Sequence, residues 1–205
     1  MYEYVFIETV SDRAWPVQRQ IAEHVQAAVR PAATQAGGQI LGLFTPQLGW
    51  STRQAALLVD WGEAANPAAA AALFPADTFR LETHRLTPTL RPRAADRLAP
   101  GGIYVHRWFE VEAGAIDEFL ALSGQGWTDF EARFDARIFG LFRADLTPAD
   151  ESRGIVRLLL ITRYGDHGVW EASRDPTTEG MGHFLRRQQL TRRSIAASTL
   201  LANLG

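Results

Sequence analysis

One short segment occurs twice in this chain, and it constrains the possible folds more than any other feature of the sequence. Residues 40–44 read Ile-Leu-Gly-Leu-Phe, and residues 138–142 read Ile-Phe-Gly-Leu-Phe, 98 positions later. Two further pairs of segments match in the same order, at displacements of 102 and 103 positions: Tyr2–Thr9 with residues 104–111, and residues 57–61 with residues 160–164. Three matches in register predict a duplicated structural unit of about a hundred residues.

The segment between the two copies has the composition of a connector. Residues 91–102 contain Pro92 and Pro100, and they end on Gly101-Gly102. Proline and paired glycines interrupt regular secondary structure. The sequence therefore predicts a first repeat over residues 1–92, a connector over 93–102 and a second repeat over 103–205.

Hydrophobic periodicity predicts the same order of elements in both copies. Copy one begins with a strand, followed by a helix whose stripe is Val17, Ile21, Val25 and Val29. In copy two, Gly124 and Gly126 weaken the first helix, at about 1 kcal/mol each relative to alanine. The predicted ranges are strands at 2–10, 39–44, 54–61 and 79–90 with a short helix at 66–73 in copy one, and strands at 103–111, 137–142, 155–164 and 194–201 with helices at 116–130 and 181–188 in copy two.

The order β-α-β-β-α-β, found twice, indicates the fold class. Two helices cover only one face of a four-stranded antiparallel sheet, so the other face needs a partner. In a duplicated chain that partner is the sibling sheet. We expect an α+β protein made of tandem ferredoxin-like βαββαβ repeats, with antiparallel sheets packed face to face as an α+β barrel.

Composition excludes several kinds of chemistry. All 21 basic residues of the 205 are arginine, and cysteine is absent. Lysine Schiff bases, thiolate nucleophiles, disulfides and Cys-ligated metals are therefore ruled out. The formal charge of −2 predicts no nucleic-acid or membrane partner. Five histidines without metal-ligand spacing predict no metal site, and no cofactor is expected.

Targeting signals are not expected either. Residues 1–10 read as a strand and lack the cationic head and apolar stretch of a signal peptide. The alanine-rich segment 64–76 contains two prolines and is too short to span a bilayer of about 30 Å. We expect a cytoplasmic protein.

Several features of the second copy resemble those of a known protein family. The features that carry the resemblance are the strand at 104–111, the turn at 112–114, Glu118-Phe119, residues 137–142, Tyr164, Trp170 and Phe184-Leu185. They are similar to a NIPSNAP-type domain of the dimeric α+β barrel superfamily, and copy one shares them more weakly. Two departures are the absent lysine in the turn after the first strand and the tyrosine, not tryptophan, at position 164. The resemblance implies a ferredoxin-like fold and a range of functions: cofactor-free monooxygenases of polyketide biosynthesis, haem-binding and haem-degrading proteins, and proteins of no known activity.

Strand alternation selects candidate site residues. One face of each first strand is aromatic and ends in glutamate: Tyr104, His106, Trp108 and Glu110 in copy two, and Tyr4, Phe6 and Glu8 in copy one. The opposite face, with Val5 and Ile7, suits close packing against helices. We therefore place the aromatic face between the sheets, where it would hold a planar ligand, with His106 and Glu110 as catalytic groups. The alternative is that the aromatic residues fill the barrel and Glu110 lies at its wet rim.

A second candidate lies in the last strand of copy one. Glu82 and His84 are two positions apart and share a face. A carboxylate beside an imidazole can form a general acid–base pair, because it fixes the tautomer and raises the pKa of the histidine. The same arrangement is also typical of a surface pair on an edge strand.

The densest basic cluster has a structural interpretation. Arg186, Arg187, Arg192 and Arg193 lie at the end of a predicted helix, where cations complement the helix dipole. They are not taken as a nucleic-acid site.

Three functions follow as hypotheses. The first is a NIPSNAP-like protein that binds a small aromatic or planar organic ligand between the sheets. The second is a cofactor-independent monooxygenase acting on polycyclic phenols or quinone-like compounds. The third is a structural or assembly protein with a solid interior. Whether the fused pair also forms a homodimer stays open.

Overall fold

The structure is a computed structural model, and it describes residues 1–10, 17–62 and 70–204. Predicted features at 11–16 and 63–69 lie outside the described residues. The strands are β1 (Tyr2–Thr9), β2 (Gln39–Leu48), β3 (Gln54–Asp60), β4 (Phe79–Arg91), β5 (Ile103–Glu112), β6 (Ala136–Ala144), β7 (Ile155–Tyr164) and β8 (Thr191–Leu201). The helices are α1 (Val17–His24), α2 (Arg30–Gln35), α3 (Ile116–Arg133), α4 (Pro148–Arg153), α5 (His167–Ala172) and α6 (Glu179–Gln189).

Three shorter helical segments complete the elements. A π-helical turn, Val25–Val29, joins α1 to α2, and 3-10 turns occupy Ala70–Leu73 and Ala113–Ala115. All the predicted strands are present, and several extend beyond their predicted ends. Of the short helix predicted at 66–73, the described part is the 3-10 turn.

The chain divides into two compact units. Unit 1 is Met1–Thr87 together with Thr199–Gly205, and unit 2 is Pro88–Ser198. Both contain antiparallel strands with helices, so the predicted α+β, ferredoxin-like class is confirmed. The sequence repeats at 1–92 and 103–205, and the connector at 93–102, are defined by sequence matches and stay predictions.

Unit 1 is built on a central strand. β1 pairs antiparallel with β3 on one side and with β4 on the other, and β2 pairs with β3. Ile21, Val25 and Val29 are fully buried and belong to one core cluster with Val5 and Ile7. The prediction that the Val5–Ile7 face packs against the helix stripe is therefore confirmed.

A buried carboxylate closes the core of unit 1. Glu3 is 5% exposed, and one of its oxygens accepts hydrogen bonds from the Trp61 indole at 2.9 Å and from the Ala70 amide at 2.8 Å. Gly38 lies against the indole, since a Cβ there would come within 2.4 Å of the Trp61 ring. A buried charge with two donors is satisfied where it lies.

Unit 2 repeats part of this pairing. β7 lies between β5 and β6, antiparallel to both. The register of β6 shifts between Ile138 and Gly140, and the register of β2 shifts between Ile40 and Gly42. The repeated five-residue segment therefore carries the same β-bulge in each unit, which accounts for the glycine that both copies share.

Two glycines allow α3 and α6 to pack closely. A Cβ on Gly126 would come within 2.5 Å of the Phe184 ring, and one on Gly180 would come within 2.8 Å of the Gly126 carbonyl oxygen. The Gly180 amide donates to Asp129 at 2.9 Å. Gly126, which the sequence suggested would only weaken the helix, is therefore required by the contact between helices.

Candidate ligand-binding site

Unit 2 holds a cavity of about 390 Å³ between its sheet and its helices. This volume falls in the range of small-molecule sites. We call it the aromatic cavity, because most of its wall is aromatic or aliphatic: Val105, Phe109, Trp127, Phe130, Ile138, Leu160, Tyr164, Trp170, Met181, Phe184 and Leu185.

The charged groups of the aromatic cavity are all positive. Arg107, Arg174 and Arg187 line it, and its lining contains neither aspartate nor glutamate. Within the described chain, no carboxylate lies within 4.0 Å of Arg107 or Arg187. A mostly apolar space whose lining has three guanidinium groups and no carboxylate favours an anion over a cationic guest.

Arg187 lies deepest among these cations. Its side chain leaves α6 and is 5% exposed, and Nη1 donates to Ser123 Oγ at 3.1 Å. Its guanidinium carbon lies 4.7 to 5.2 Å from three ring centroids, those of Phe109, Phe119 and Phe184. Burial, followed by repulsion from Arg107, lowers its pKa to about 9, so the group remains protonated at neutral pH.

Arg107 and Tyr164 lie on the sheet side of the aromatic cavity. Burial is the main cause that lowers the pKa of Arg107; Tyr164 opposes this shift and Arg174 adds to it. Burial raises the pKa of Tyr164, while Arg107 and a hydrogen bond with Ser173 oppose that rise. At neutral pH the tyrosine is a neutral phenol that can donate a hydrogen bond to a bound anion.

Helix α5 supplies a flat wall. Asp166 caps its first turn by accepting from the Val169 amide at 2.8 Å, which satisfies a backbone donor at the start of the short helix. The Trp170 ring centroid lies 6.3 Å from that of Tyr164, and the guanidinium carbon of Arg174 lies 5.0 Å from the Trp170 ring. An indole, a phenol and a guanidinium together suit a planar guest.

Four predicted site residues of copy two lie on the other face of β5. Tyr104, His106, Trp108 and Glu110 alternate with Val105, Arg107 and Phe109, which line the aromatic cavity. His106 is 1% exposed, and burial lowers its pKa to about 3. A neutral imidazole of such low basicity is a weak general base. The catalytic role of His106 stays a prediction.

Tyr104 and Glu110, the first and last of these four residues, make polar contacts with nearby groups. The Tyr104 hydroxyl donates to the Ala99 carbonyl oxygen at 2.6 Å, and burial raises its pKa to about 12. Glu110 accepts from Arg153 at 2.5 Å, and the Arg193 guanidinium is 3.9 Å away. The predicted ligand-binding and catalytic roles of Tyr104, Trp108 and Glu110 are not tested by these contacts.

Unit 1 brings its own predicted residues together. Tyr4 lies opposite His84 in the β1–β4 register, and Phe6 lies opposite Glu82. His84 Nε2 is 3.1 Å from Glu82 Oε1, and the Glu82 side chain is 68% exposed. Burial, and then the charge of Glu82, raise the pKa of Tyr4. Elsewhere on β1, Glu8 accepts from Gln54 at 3.2 Å. The acid–base and ligand-binding roles of these residues stay predictions.

Sequence reasoning missed Arg107 and Arg187. Arg107 interrupts an otherwise apolar strand face between Val105 and Phe109, and the 102-residue displacement matches it to Val5. A charged residue on a predicted core face was the available signal. Arg187 was grouped with a helix-end cluster, yet its side chain is buried whereas that of neighbouring Arg186 is 64% exposed.

The polar groups that could contact a ligand in the aromatic cavity are side chains of a few residue types. The described part of the chain contains no group of three His, Asp or Glu side chains that could hold a metal ion. No helix within those residues is long and apolar enough to cross a bilayer. Besides the arginines, the polar side chains of the aromatic cavity are Thr162, Tyr164, Ser173, Gln188, Thr191 and Ser194.

Comparison with known proteins shows the fold of this chain. No protein-family model and no curated protein sequence matches it. Solved structures do: an anthrone oxidase-like protein has a TM-score of 0.64 at 15% identity, covering 98% of this chain and 91% of its own. A candidate monooxygenase from Lactobacillus acidophilus NCFM has a TM-score of 0.59 at 11% identity, covering 100% and 96%.

A third similar structure is a major regulator of staphylococcal pathogenesis, with a TM-score of 0.55 at 6% identity, covering 99% of this chain and 100% of its own. Likeness at such low identity shows the fold and leaves function open. The chain has a ferredoxin-like α+β fold. The narrower NIPSNAP assignment has no support from these structures.

Proposed function

We propose that this protein binds a small aromatic anion, a phenolate or an aromatic carboxylate, in the aromatic cavity of unit 2. The observation that carries the proposal is the charge of that cavity: three arginines and no carboxylate line a mostly aromatic and aliphatic space of about 390 Å³. The sequence predicted an aromatic ligand in a different place, between the sheets, so the proposal keeps the ligand class and changes the site.

Two parts of the cavity suit the two parts of such a ligand. Rings such as Trp127 and Trp170 offer faces against which an aromatic guest can stack. Arg107 and Arg187 offer charge-assisted hydrogen bonds to its anionic group, with the Tyr164 hydroxyl as a further donor. Binding would also neutralise cations that are buried without a carboxylate partner.

The test is fluorescence titration with 1-naphthoate, read through quenching of Trp127 and Trp170. The native protein is expected to bind 1-naphthoate saturably and to bind the neutral analogue 1-naphthamide at least about tenfold more weakly. Arg107→Gln is expected to weaken 1-naphthoate binding about tenfold. Arg186→Gln is the matched control, because it removes an exposed arginine from the same helix as Arg187.

Two outcomes would contradict the proposal. Equal affinity for the acid and the amide would show that the positive charge plays no part. Unchanged 1-naphthoate binding in Arg107→Gln, with folding verified by circular dichroism, would show that the anion binds elsewhere. Lack of any bound aromatic compound, in titration and in native mass spectrometry, would favour the alternative of a structural or assembly protein.

A second candidate function is oxidation of a phenol-like ligand by molecular oxygen without a cofactor. Arginines that bind an anion lower the pKa of a bound phenol or enol, and the resulting electron-rich anion is the form that reacts with O₂. With anthrone as the probe, one oxygen atom would enter the ring as a carbonyl and the other would leave as water. The structural likeness to an anthrone oxidase-like protein makes this a reasonable probe.

Oxygen consumption with anthrone tests that candidate. Catalysed uptake that falls in Arg107→Gln supports it, and uptake equal to the rate without protein excludes it for this substrate. The catalytic roles predicted for His106 and Glu110 are tested in the same assay. If His106→Ala and Glu110→Gln both leave the rate unchanged, neither residue acts in the reaction.

Family membership, cellular location and self-association are also proposed. NIPSNAP-like membership is supported by the sequence pattern of copy two at residues 104–111 and 137–142. A cytoplasmic location and self-association into a homodimer are likewise proposed, and size-exclusion chromatography with light scattering tests the latter.

A further inference from the structure

The connector between the two repeats contributes to a second cavity. This space of about 330 Å³ lies in unit 2, where residues 93–99 meet β6 and β7. We call it the arginine cavity, because five arginines line it against two carboxylates: Arg91, Arg93, Arg97, Arg137 and Arg163. The contacts of the two carboxylates show which of these arginines are neutralised.

One arginine is fully compensated. Arg91 Nη1 lies 2.7 Å from Glu131 Oε1, and its Nη2 lies 3.1 Å from Oε2, which is a bidentate pair. The same carboxylate accepts from the Ile138 amide at 2.8 Å, whereas Arg137 stays 3.7 Å away with a side chain that is 70% exposed. Glu131 therefore neutralises Arg91, and Asp135, 3.0 Å from Arg163 Nη1, neutralises a second arginine of the cavity.

The second carboxylate has a structural task. Asp96 accepts from the Arg93 backbone amide at 2.6 Å, which closes a turn of the connector. Within the described residues, the guanidinium groups of Arg93 and Arg97 have no carboxylate within 4.0 Å. Both residues are exposed, and within the described residues no carboxylate competes with a guest for their guanidinium groups.

Two of the guanidinium groups are also held in place. Arg97 Nη1 donates to the carbonyl oxygens of Ala94 at 2.7 Å and Asp96 at 2.8 Å. Arg163 donates from Nε to the Gly101 carbonyl oxygen at 3.2 Å and from Nη1 to Asp135 at 3.0 Å. Each keeps further N–H donors for a guest, and their fixed positions reduce the ordering cost of binding.

We propose that the arginine cavity binds the phosphate group of a small molecule. Phosphate carries more charge than a single carboxylate and presents several oxygens, so it can engage several guanidinium forks at once. Arg163 lies between Thr162 and Tyr164 on β7, and strand alternation places it on the opposite face from those two aromatic-cavity residues. The phosphate site therefore lies on the other face of β7 from the aromatic cavity, and Ile138 borders both cavities.

Isothermal titration calorimetry of the full chain with inorganic pyrophosphate tests this site. The native protein is expected to bind pyrophosphate saturably, and citrate, a tricarboxylate of similar charge, more weakly. The double variant Arg93→Gln/Arg97→Gln is expected to lose affinity for pyrophosphate by about a hundredfold, at about tenfold for each guanidinium removed. Arg186→Gln, which removes an exposed arginine outside the site, is expected to bind as the native protein does.

Each remaining outcome overturns the proposal. Absence of saturable pyrophosphate binding, or unchanged binding in the double variant, would show that these cations hold no phosphate. Citrate binding tighter than pyrophosphate would replace phosphate with a polycarboxylate. If the double variant is unstable, Arg137→Gln tests the same cavity from an exposed side chain, and an unchanged affinity there would also count against the site.

Discussion

Units 1 and 2 place different residues on the sheet face that packs against their helices. The sequence matches align three apolar or aromatic residues of unit 1 with polar residues of unit 2: Val5 with Arg107, Val59 with Thr162, and Trp61 with Tyr164. The three in unit 1 are at most 1% exposed and fill its core. The three in unit 2 line the aromatic cavity. One backbone pattern thus carries buried apolar side chains in one copy and the polar lining of a cavity in the other.

The buried polar groups differ in the same direction. In unit 1, the buried carboxylate of Glu3 has two donors, the Trp61 indole and the Ala70 amide. In unit 2, the matched residue is Val105, and the charge two positions on, Arg107, has no carboxylate partner among the described residues. Satisfied polar groups stabilise a core. The partly buried Arg107, without a carboxylate partner in the described part of the chain, is the feature of unit 2 on which the proposed anion site rests.

The largest effect is expected when the arginine of unit 2 is copied into unit 1. Val5→Arg places a guanidinium where the native side chain is fully buried, beside Glu3 whose donors are already in place. Overpacking and desolvation of the charge together should lower the free energy of unfolding by about 4 kcal/mol. Urea denaturation measures this loss, and failure to fold is its extreme form.

A matched control separates size from charge. Val5→Met adds length without charge and should cost about 1 to 3 kcal/mol, so the difference between the variants reports the charge. If Val5→Arg costs no more than Val5→Met, the core of unit 1 accepts a cation. The two units would then not differ in the way that the structure indicates.

A smaller effect, about 2 kcal/mol at pH 5, is expected from His106, because stability should fall by about 1.4 kcal/mol for each pH unit below 6.5. The 102-residue displacement matches His106 with Tyr4, and burial lowers the pKa of the first to about 3 and raises that of the second. The unfolded chain binds a proton at His106 below pH 6.5, and the folded chain does not until about pH 3. Stability should therefore be complete above pH 6.5 and fall between 6.5 and 3, while Tyr4 should destabilise the fold only in strong alkali.

NMR titration of the histidine ring protons checks this directly. The His106 resonance should stay at its neutral position down to pH 4.5, and the variant His106→Phe should show a shallower loss of stability in acid than the native protein. A midpoint near pH 6.5 for His106, or equal acid slopes for both proteins, would contradict the burial of a neutral imidazole.

Much of the fold could be predicted because it depends on periodicity. The stripe Ile21, Val25 and Val29 and the alternation in β5 indicated which faces are buried, and the cores confirm both. The strand ends were less predictable. β2 extends to Leu48, past the predicted end at residue 44, and single-residue propensity does not determine how far a strand continues.

The site could be predicted less well than the fold. The alternation separated the two faces of β5 correctly, but it could not show which face borders a cavity, since that depends on how α3 and α6 pack. The position of α6 depends in turn on Gly126 and Gly180, whose effect is visible only when the helices are in contact. Arg107 on a core face was the residue whose chemistry contradicted its predicted surroundings.

The smallest effect is expected when the charge of unit 2 is removed, and its sign is opposite to that in unit 1. Arg107→Met replaces a partly buried, uncompensated guanidinium with an apolar chain of similar length. Such replacements are often neutral or stabilising, and we expect a gain of about 1 kcal/mol in the free energy of unfolding. Affinity for 1-naphthoate should fall about tenfold in the same protein.

Opposite changes in stability and binding identify Arg107 as a residue retained for a ligand. Arg107→Lys is the matched control: it keeps the positive charge, so it should gain no stability and should keep more of the affinity than Arg107→Met. A loss of stability in Arg107→Met would mean that the guanidinium supports the fold of unit 2. In that case the aromatic cavity would be a packing feature, and the contrast with Val5 would reflect only two ways of building the same core.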